Sequence, residues 1–179
     1  RDEFDAWWKN ETVSRVPKQS GIIKAPTSDT ATIDRDEWGI PHINAESDSD
    51  LFIAFGYAMA QDRLFQMDWL RRKATGCLSE ITGADGLEQD TISRIIGHHR
   101  IAETELEQSP DETRQLLEAF TKGVNVAIEQ SESRMPIEFD LLGYHPAPWK
   151  PVDCLSIASE LRYYLTVRYP VITNPELAL

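Results

Sequence analysis

The sequence predicts an α+β fold that is mainly helical and has a short β-hairpin near its N-terminus. Two strand-like stretches on either side of a glycine turn predict the hairpin. Farther along, apolar residues recur at helical spacing in long segments that end at glycine or proline. Hydrophobic residues make up 41% and charged residues 27% of the 179 positions, which is the balance of a globular domain with a real core.

The predicted hairpin has strands at Thr30–Ile33 and Ile40–Ile43. Its turn is Glu37-Trp38-Gly39, because glycine adopts a positive φ without steric cost. Pro41 has no backbone donor, so we expect the second strand at a sheet edge, or Pro41 at a bulge. The chain before the hairpin is polar except for Trp7-Trp8. We expect this pair to anchor the terminus on the body of the protein or on a partner chain.

A long helix is predicted after Asp48 or Ser49, which are good N-caps, and it ends at Gly76. Its apolar face contains one charged residue, Asp62, which either lies against a cation or marks a break between two shorter helices. The face consists of Leu51, Phe55, Ala58, Asp62, Phe65 and Trp69. The candidate cations are Arg63, Arg71 and Arg72.

A weaker helix is expected after Asp90. It contains His98-His99, but adjacent helical residues point about 100° apart, so a solvated or packed pair is favoured over a metal site. The apolar spacing that predicts this helix comes from Ile92, Ile95, Ile96, His99 and Leu106.

The next helix is predicted from a capping box, with Ser109 as N-cap, Pro110 as first helical residue and Glu112 reaching back. Gly123 within it costs roughly 1 kcal/mol relative to alanine and suggests that another element packs closely there. The predicted apolar side comprises Leu116, Leu117, Phe120, Val124 and Ile128.

Prolines exclude a continuous helix between Met135 and Pro151, so we expect an irregular crossover anchored by Phe139, Leu142 and Trp149. A last helix is expected over about Val152–Tyr169, stopped by Pro170. It is crowded with tyrosines and arginines, which form either a packed aromatic face with snorkelling arginines or a pocket wall with hydrogen-bond donors.

The formal charge of −12 argues against binding to nucleic acid or anionic membranes, which need a basic face. No run approaches the roughly 18 apolar residues of a membrane span. The chain lacks the common nucleophile, zinc-protease and phosphate-loop motifs, and Glu46–Asp50 fails as a calcium loop because Leu51 replaces the needed glycine. Cys77 and Cys154 fit no metal or redox spacing and are either paired or separate buried thiols.

Six segments, in family order and at family spacing across roughly residues 30–155, resemble the light (α) chain of the penicillin acylase family of N-terminal nucleophile hydrolases. They are Asp34–Ile43, Gly56–Asp68, Leu70–Arg72, Ser79–Ile81, Phe120–Asn125, and Pro136–Gly143 with Pro148-Trp149. The resemblance implies a precursor that cleaves itself into a heterodimer folded as an αββα sandwich. This chain, residues 1–179, would be one subunit, incomplete without the heavy (β) chain.

In that family the heavy chain begins with the catalytic serine, whose α-amino group is the general base, and it also supplies the oxyanion hole. The resemblance therefore implies no catalytic residue in this chain and no cofactor for catalysis. Asp62 and Arg63, in the best-matching segment, are expected to form a buried structural pair. Some members hold a structural calcium with one light-chain carboxylate, and Glu176 is the candidate here.

The resemblance assigns one wall of the acyl-chain pocket to the last helix, including Leu161. The expected substrate-binding residues are Arg162, Tyr163, Leu165 and Thr166. The implied activity is hydrolysis of the amide of N-acylated small molecules, such as β-lactam antibiotics or N-acyl homoserine lactones, in the periplasm or outside the cell. Antibiotic resistance and quorum quenching are the corresponding biological roles. The alternative is a non-catalytic acidic helical domain with a binding or structural role.

Overall fold

A computed structural model describes residues 2–13, 15–16, 21–24, 27 and 31–173, with the side chains of 21–24 and 167–173 left out. The chain is mainly helical with one small antiparallel sheet, as the sequence predicts. The helices are α1 (Asp2–Val13), α2 (Asp48–Thr75), α3 (Ser79–Thr82), α4 (Leu87–Ile96), α5 (His98–Gln108), α6 (Asp111–Ser131), α7 (Ile137–Leu142) and α8 (Pro151–Thr173). The strands are β1 (Gly21–Lys24), β2 (Thr32–Arg35) and β3 (Pro41–Asn44).

Two compact units make up the chain. The first combines Arg1–Asp68 with Pro110–Pro151, and the second combines Trp69–Ser109 with Val152–Leu179. The first unit contains the sheet and the α6 helix, whereas the second contains α3, α4, α5 and nearly all of α8.

The sheet has the order β1-β2-β3, with both neighbouring pairs antiparallel. Ile33 faces Ile43 in the register of β2 and β3, and Ile33 is fully buried. Gly39 has a φ of 77° in the turn, and Pro41 lies in an edge strand, as predicted. Strand β1 was not predicted, because its apolar part is only Ile22-Ile23 within an otherwise polar stretch.

Helix α1 buries none of its residues. Trp7 and Trp8 are 47% and 40% exposed, and their ring centroids lie 6.2 Å apart. Phe4 completes this aromatic cluster, with centroid distances of 5.7 and 6.3 Å to the two indoles. The rings therefore pack mainly on one another, and the expectation of an anchor on the body of this chain is wrong. Docking on a partner chain remains a prediction.

Helix α2 has 28 residues and is followed by Gly76 at a φ of 70°, as predicted. It is broken at Arg63, where φ is −140° and ψ is 21°. The break is one of the two alternatives that Asp62 suggested. The cation beside Asp62 is Arg35 of β2, at 3.0 Å, and none of the three arginines proposed from the sequence.

The expectation of a buried Asp62–Arg63 pair is also wrong, because Arg63 is exposed and the side chain of Asp62 is 32% exposed. The Arg35 side chain is only 3% exposed and also donates to the carbonyl of Gly39 at 3.0 Å. This one guanidinium therefore ties the hairpin turn to the break in α2.

The buried stripe of α2 is shifted around the helix from the apolar face that the sequence predicts. Leu51 and Phe55 of the predicted face are 36% and 45% exposed. The stripe includes charged residues, so hydrophobic spacing alone selects the wrong face. One of them, Asp68, is fully buried and accepts a hydrogen bond from the Tyr144 hydroxyl at 2.9 Å. The stripe consists of Asp50, Ile53, Ala54, Gly56, Tyr57, Ala58, Ala60, Leu64, Met67, Asp68, Arg71 and Ala74, and it shares Ala58 with the predicted face.

Helices α2 and α6 meet at glycines on both sides. A Cβ atom on Gly123 would lie 1.9 Å from the carbonyl oxygen of Ile53, and one on Gly56 would lie 2.1 Å from that of Phe120. Contacts this short leave no room for any side chain. The close approach predicted from Gly123 is confirmed, and Gly56 is its counterpart in α2.

The predicted capping box is wrong. Helix α6 begins at Asp111, Pro110 occupies the N-cap position, and no side chain caps this end. The Ser109 hydroxyl instead donates to the carbonyl of Glu105 at 2.7 Å, so it completes the end of α5. Of the predicted apolar side, Val124 and Ile128 are buried, together with the small residues Ala119, Thr121, Gly123 and Ala127.

The proline-rich segment is irregular and packed, with α7 as a single short helix. Phe139 and Trp149 are 1% and 3% exposed and serve as the predicted anchors, whereas Leu142 is 42% exposed and does not. Asn125 of α6 fixes the end of the segment. Its amide donates to the carbonyl of Trp149 at 3.0 Å and accepts from the Trp149 backbone N–H at 2.7 Å.

Two predicted helix boundaries in the second unit are wrong. The helix expected after Asp90 is two helices, because Gly97 at a φ of 81° separates α4 from α5. Several of their large apolar residues are exposed, among them Ile92 at 39%, Ile95 at 76% and Ile101 at 43%. Helix α8 extends beyond Pro170, since a proline removes only one backbone donor and can be accommodated by a local bend.

We expect Gly123→Ala to lower the stability of the protein, although alanine is the better helix former by roughly 1 kcal/mol. The added methyl group must push α2 and α6 apart at a backbone carbonyl, which costs about 1–3 kcal/mol or more. Thermal unfolding of the purified protein measures the change. Gly143→Ala is the comparison for backbone strain alone: its φ of 70° costs alanine about 1–2 kcal/mol, but the space around it is open, so it should lower the melting temperature without any steric contact. A melting temperature for Gly123→Ala equal to or above that of the native protein would contradict the close approach.

Candidate functional site

The Leu161–Thr166 segment of α8 is exposed on all sides among the side chains that the structure describes. The preceding turn is well packed, with Ser156 fully buried and both Ser159 and Glu160 7% exposed. From Leu161 to Thr166 every residue is exposed. Six consecutive residues cover more than one full helical turn, so no side of the helix is protected here. A segment rich in leucine and tyrosine thus has little cover from the second unit.

The four residues predicted to bind substrate lie together on this segment. Leu165 is 60% exposed, and the Thr166 hydroxyl donates to the carbonyl of Arg162 at 2.8 Å. The ring of Tyr163 lies edge-on to His98, at a centroid distance of 5.6 Å. The segment therefore offers an apolar side chain, a phenol and a guanidinium within two helical turns, which are groups suited to a pocket for an amphipathic small molecule.

The guanidinium of Arg162 forms a bidentate ion pair with Glu105 of α5. The distances are 2.6 Å from Nη2 to Oε2 and 3.3 Å from Nη1 to Oε1. Hydrogen bonding to Glu105 raises the pKa of Arg162, and this contribution outweighs the opposing effect of burial. The pair fixes the arginine and cancels its charge at the edge of the exposed segment.

A second cation near the segment is also paired. Lys73 Nζ lies 2.6 Å from Glu160 Oε1 and 5.6 Å from the centroid of the Tyr164 ring. The charges of Glu160 and Lys73 also affect the pKa of His98. The side chain of His98 is buried, at 2% exposed, and its Nδ1 lies 3.1 Å from the Ser159 hydroxyl. Burial lowers the pKa of His98, the charge of Glu160 acts in the opposite direction, and Lys73 adds to the lowering.

The neighbouring His99 resembles the base of a serine–histidine–acid triad. Its Nδ1 lies 3.2 Å from the Ser156 hydroxyl and its Nε2 lies 3.6 Å from Glu103 Oε1. The serine is fully buried, however, and donates to the carbonyl of Val152 at 2.9 Å. A substrate cannot reach this oxygen, so the group is structural. Of the two alternatives favoured for this pair, His98 is packed, whereas the side chain of His99 is 44% exposed and thus partly solvated.

Glu176, the predicted calcium ligand, lies outside the described residues. Within the described part of the chain, no three or more histidine, cysteine or acidic side chains gather into a metal-binding group. A calcium ion at Glu176 therefore stays a prediction. Cys77 and Cys154 are half-buried and are not joined to each other in the structure, which corresponds to the alternative of separate thiols.

Two partners were missed by the sequence analysis, and both are distant along the chain. Glu105 and Arg162 are 57 residues apart, and Arg35 and Asp62 are 27 apart. Helical spacing and capping patterns report on neighbours within one or two turns, so they carry no signal for such pairs.

No described helix is both long and apolar enough to cross a membrane.

A family model for penicillin amidase matches residues 30–174. The penicillin acylase 2 proenzyme of Pseudomonas sp. strain SE83 is 39% identical over 147 residues, which are 82% of this chain and 19% of that protein. The acyl-homoserine lactone acylase QuiP of Pseudomonas aeruginosa is 30% identical over 164 residues, or 90% of this chain and 19% of that protein. The chain thus spans about a fifth of the length of these curated relatives.

A solved structure, that of a thermostable penicillin G acylase from Alcaligenes faecalis, matches with a TM-score of 0.67 at 28% sequence identity. The match covers 73% of this chain and 71% of the solved chain. The two chains are therefore similar in length, although this chain covers only 16% of the penicillin G acylase of Escherichia coli, to which it is 33% identical.

We expect His98 to destabilise the folded protein at acidic pH. The folded state holds His98 with a lowered pKa, so the unfolded chain binds this proton more readily, and stability falls as the pH drops below about 6.5. Melting temperatures measured from about pH 8 to about pH 5.5 should fall less for His98→Gln than for the native protein. The exposed residue His145 provides the control, since His145→Gln should follow the native curve. A His98→Gln curve parallel to the native one would refute this role.

Proposed function

We propose that this chain, which belongs to the penicillin amidase family, is the α-subunit of a two-chain amidohydrolase. It covers 19% of the proenzyme that it resembles, yet it is about as long as the solved chain that it matches. The match to 71% of one solved chain of a penicillin G acylase supports this role. The heavy chain of the same precursor is the partner, and self-cleavage of the precursor produces both chains.

Catalysis belongs to the partner in this proposal. The N-terminal serine of the heavy chain attacks the amide carbon, and its own α-amino group accepts the hydroxyl proton. The proton then passes to the departing amine as the carbon–nitrogen bond breaks, and water hydrolyses the resulting acyl ester. Donors of the heavy chain stabilise the oxyanion of each tetrahedral intermediate. This chain supplies no catalytic residue.

The role of this chain is to form one wall of the acyl pocket with Arg162, Tyr163, Leu165 and Thr166. The observation that carries this proposal is the exposure of Leu161–Thr166 on every side of α8. An exposed turn of leucines and tyrosines gains most when an apolar surface covers it, and a heavy chain together with an acyl group provides such a cover. The exposed aromatic cluster of α1 is a second surface for the same partner.

The substrates are N-acylated small molecules with an aromatic or medium-length aliphatic acyl group. The curated relatives are named for penicillin or for acyl-homoserine lactones, and both compounds join an acyl chain to a small polar amine. Export to the periplasm or the medium, where such compounds are met, belongs to the same proposal. Antibiotic resistance or quorum quenching would follow from it. A structural calcium held through Glu176 is a separate proposal that catalysis does not require.

Intact mass spectrometry with N-terminal sequencing of the natively purified, denatured protein tests the two-chain proposal. We expect a second polypeptide that begins with serine, threonine or cysteine. A single species of 20.4 kDa with no partner would refute the proposal and favour the non-catalytic binding domain. A single long chain that hydrolyses no acyl amide would indicate a member that never processes or has lost its nucleophile.

The wall assignment predicts that Leu165→Ala lowers kcat/KM for a medium-chain acyl amide roughly tenfold, because burying a leucine side chain against the acyl group is worth about 1.5–3 kcal/mol. The loss should appear mainly in KM, and it should shrink for an acetyl amide that does not reach the wall. Ile95→Ala is the matched control, since Ile95 is 76% exposed on α4 and has no assigned role. Equal losses in both variants would contradict the assignment.

A further inference from the structure

Glu105 and Arg162 form an ion pair at the surface. The Glu105 side chain is 36% exposed and the Arg162 side chain is 58% exposed. Both oxygens of the carboxylate and both terminal nitrogens of the guanidinium take part. A planar guanidinium matches the geometry of a carboxylate in this bidentate way. The face of Arg162 that a carboxylated ligand would use is therefore already occupied by a carboxylate of the protein.

We propose that Glu105 determines the charge preference of the acyl pocket by occupying Arg162. This inference rests on the proposed function, in which Arg162 belongs to the pocket wall. With Glu105 in place, the pocket accepts acyl groups that end without a charge. Without it, Arg162 binds a carboxylate at the far end of the acyl group. Glu105 is thus a specificity-determining residue that takes no part in the bond cleavage.

The charges around the segment support this assignment. An acyl carboxylate that approached Arg162 would have to displace Glu105 or share one guanidinium with it, and two carboxylates at such short range repel each other. The other nearby cation, Lys73, is held by Glu160 at 2.6 Å. Among the described side chains, the charges of Arg162 and Lys73 are each neutralised by a glutamate, so neither cation attracts an acidic ligand at long range.

The adjacent acid Glu103 provides a matched control on the same helix. Its carboxylate lies 3.6 Å from His99 rather than beside Arg162, and its side chain is 58% exposed. Glu103→Gln and Glu105→Gln therefore remove the same charge from α5, and only the second frees Arg162. A difference between the two variants isolates the effect of the ion pair from that of net charge.

The test uses the full-length precursor, expressed and processed in its native form, and two amides of the same amine. One carries a glutaryl group and the other a pentanoyl group, which have equal carbon counts and differ in the terminal carboxylate. The measured quantity is the ratio of kcat/KM for glutaryl to that for pentanoyl. We expect Glu105→Gln to raise this ratio about tenfold, as for one gained hydrogen-bonded charge contact at a partly exposed site. The gain should shrink at high ionic strength.

Glu103→Gln should leave the ratio unchanged, and Arg162→Gln added to Glu105→Gln should return it to the native value. The inference would be overturned if Glu103→Gln and Glu105→Gln gave equal ratios, or if neither changed the ratio. Hydrolysis of the pentanoyl amide in the same experiment would still support the proposed function. A native enzyme that hydrolyses neither amide nor any other acyl amide would overturn both. Should Glu105→Gln fail to accumulate, Glu105→Ala gives the same comparison, judged by the same ratio.

Discussion

Two helices of the first unit meet backbone to backbone, and the other contacts of that unit depend on this approach. Gly56 and Gly123 each face a carbonyl group of the opposite helix, so the spacing of α2 and α6 is set by main-chain atoms rather than by side chains. At this spacing the Tyr57 hydroxyl reaches Gln130 Oε1 at 2.7 Å. The α2 helix also carries Asp62 to Arg35 and Asp68 to Tyr144, which connect it to the hairpin and to the proline-rich segment. A wider crossing would shift all of these polar partners.

Sequence reasoning predicted the features of this fold that depend on one residue or on near neighbours. Gly76, Gly39 and Pro41 each impose a local backbone condition, and the structure has the expected helix end, turn and edge strand. Prediction from the sequence failed where a contact with another helix or segment determines which residues are buried. The buried stripe of α2 contains Asp68 because Tyr144 satisfies it from a distant segment, and hydrophobic spacing cannot anticipate a charged core residue of this kind.

The candidate site also has a part that the sequence predicts and a part that it does not. Its position on the last helix follows from the resemblance and from the order of motifs, and the exposure of Leu161–Thr166 agrees with a surface that needs a cover. The ion pair between Arg162 and Glu105 joins two helices and has no sequence signature. It changes the chemistry available to Arg162, since both terminal nitrogens of its guanidinium are already paired with a carboxylate. The charge of a single residue is thus a poor guide to the charge of the surface around it.

The aromatic cluster on α1 has a kinetic consequence for assembly. Phe4, Trp7 and Trp8 are 60%, 47% and 40% exposed, so two copies of an isolated chain can associate through these rings before either finds its proper cover. A cover tethered to the same polypeptide is met at an effective concentration of about millimolar, far above the concentration of free chains in a cell. If the chain is made as the proposed precursor, synthesis as one long chain that is cut only after folding would let the correct association outrun aggregation.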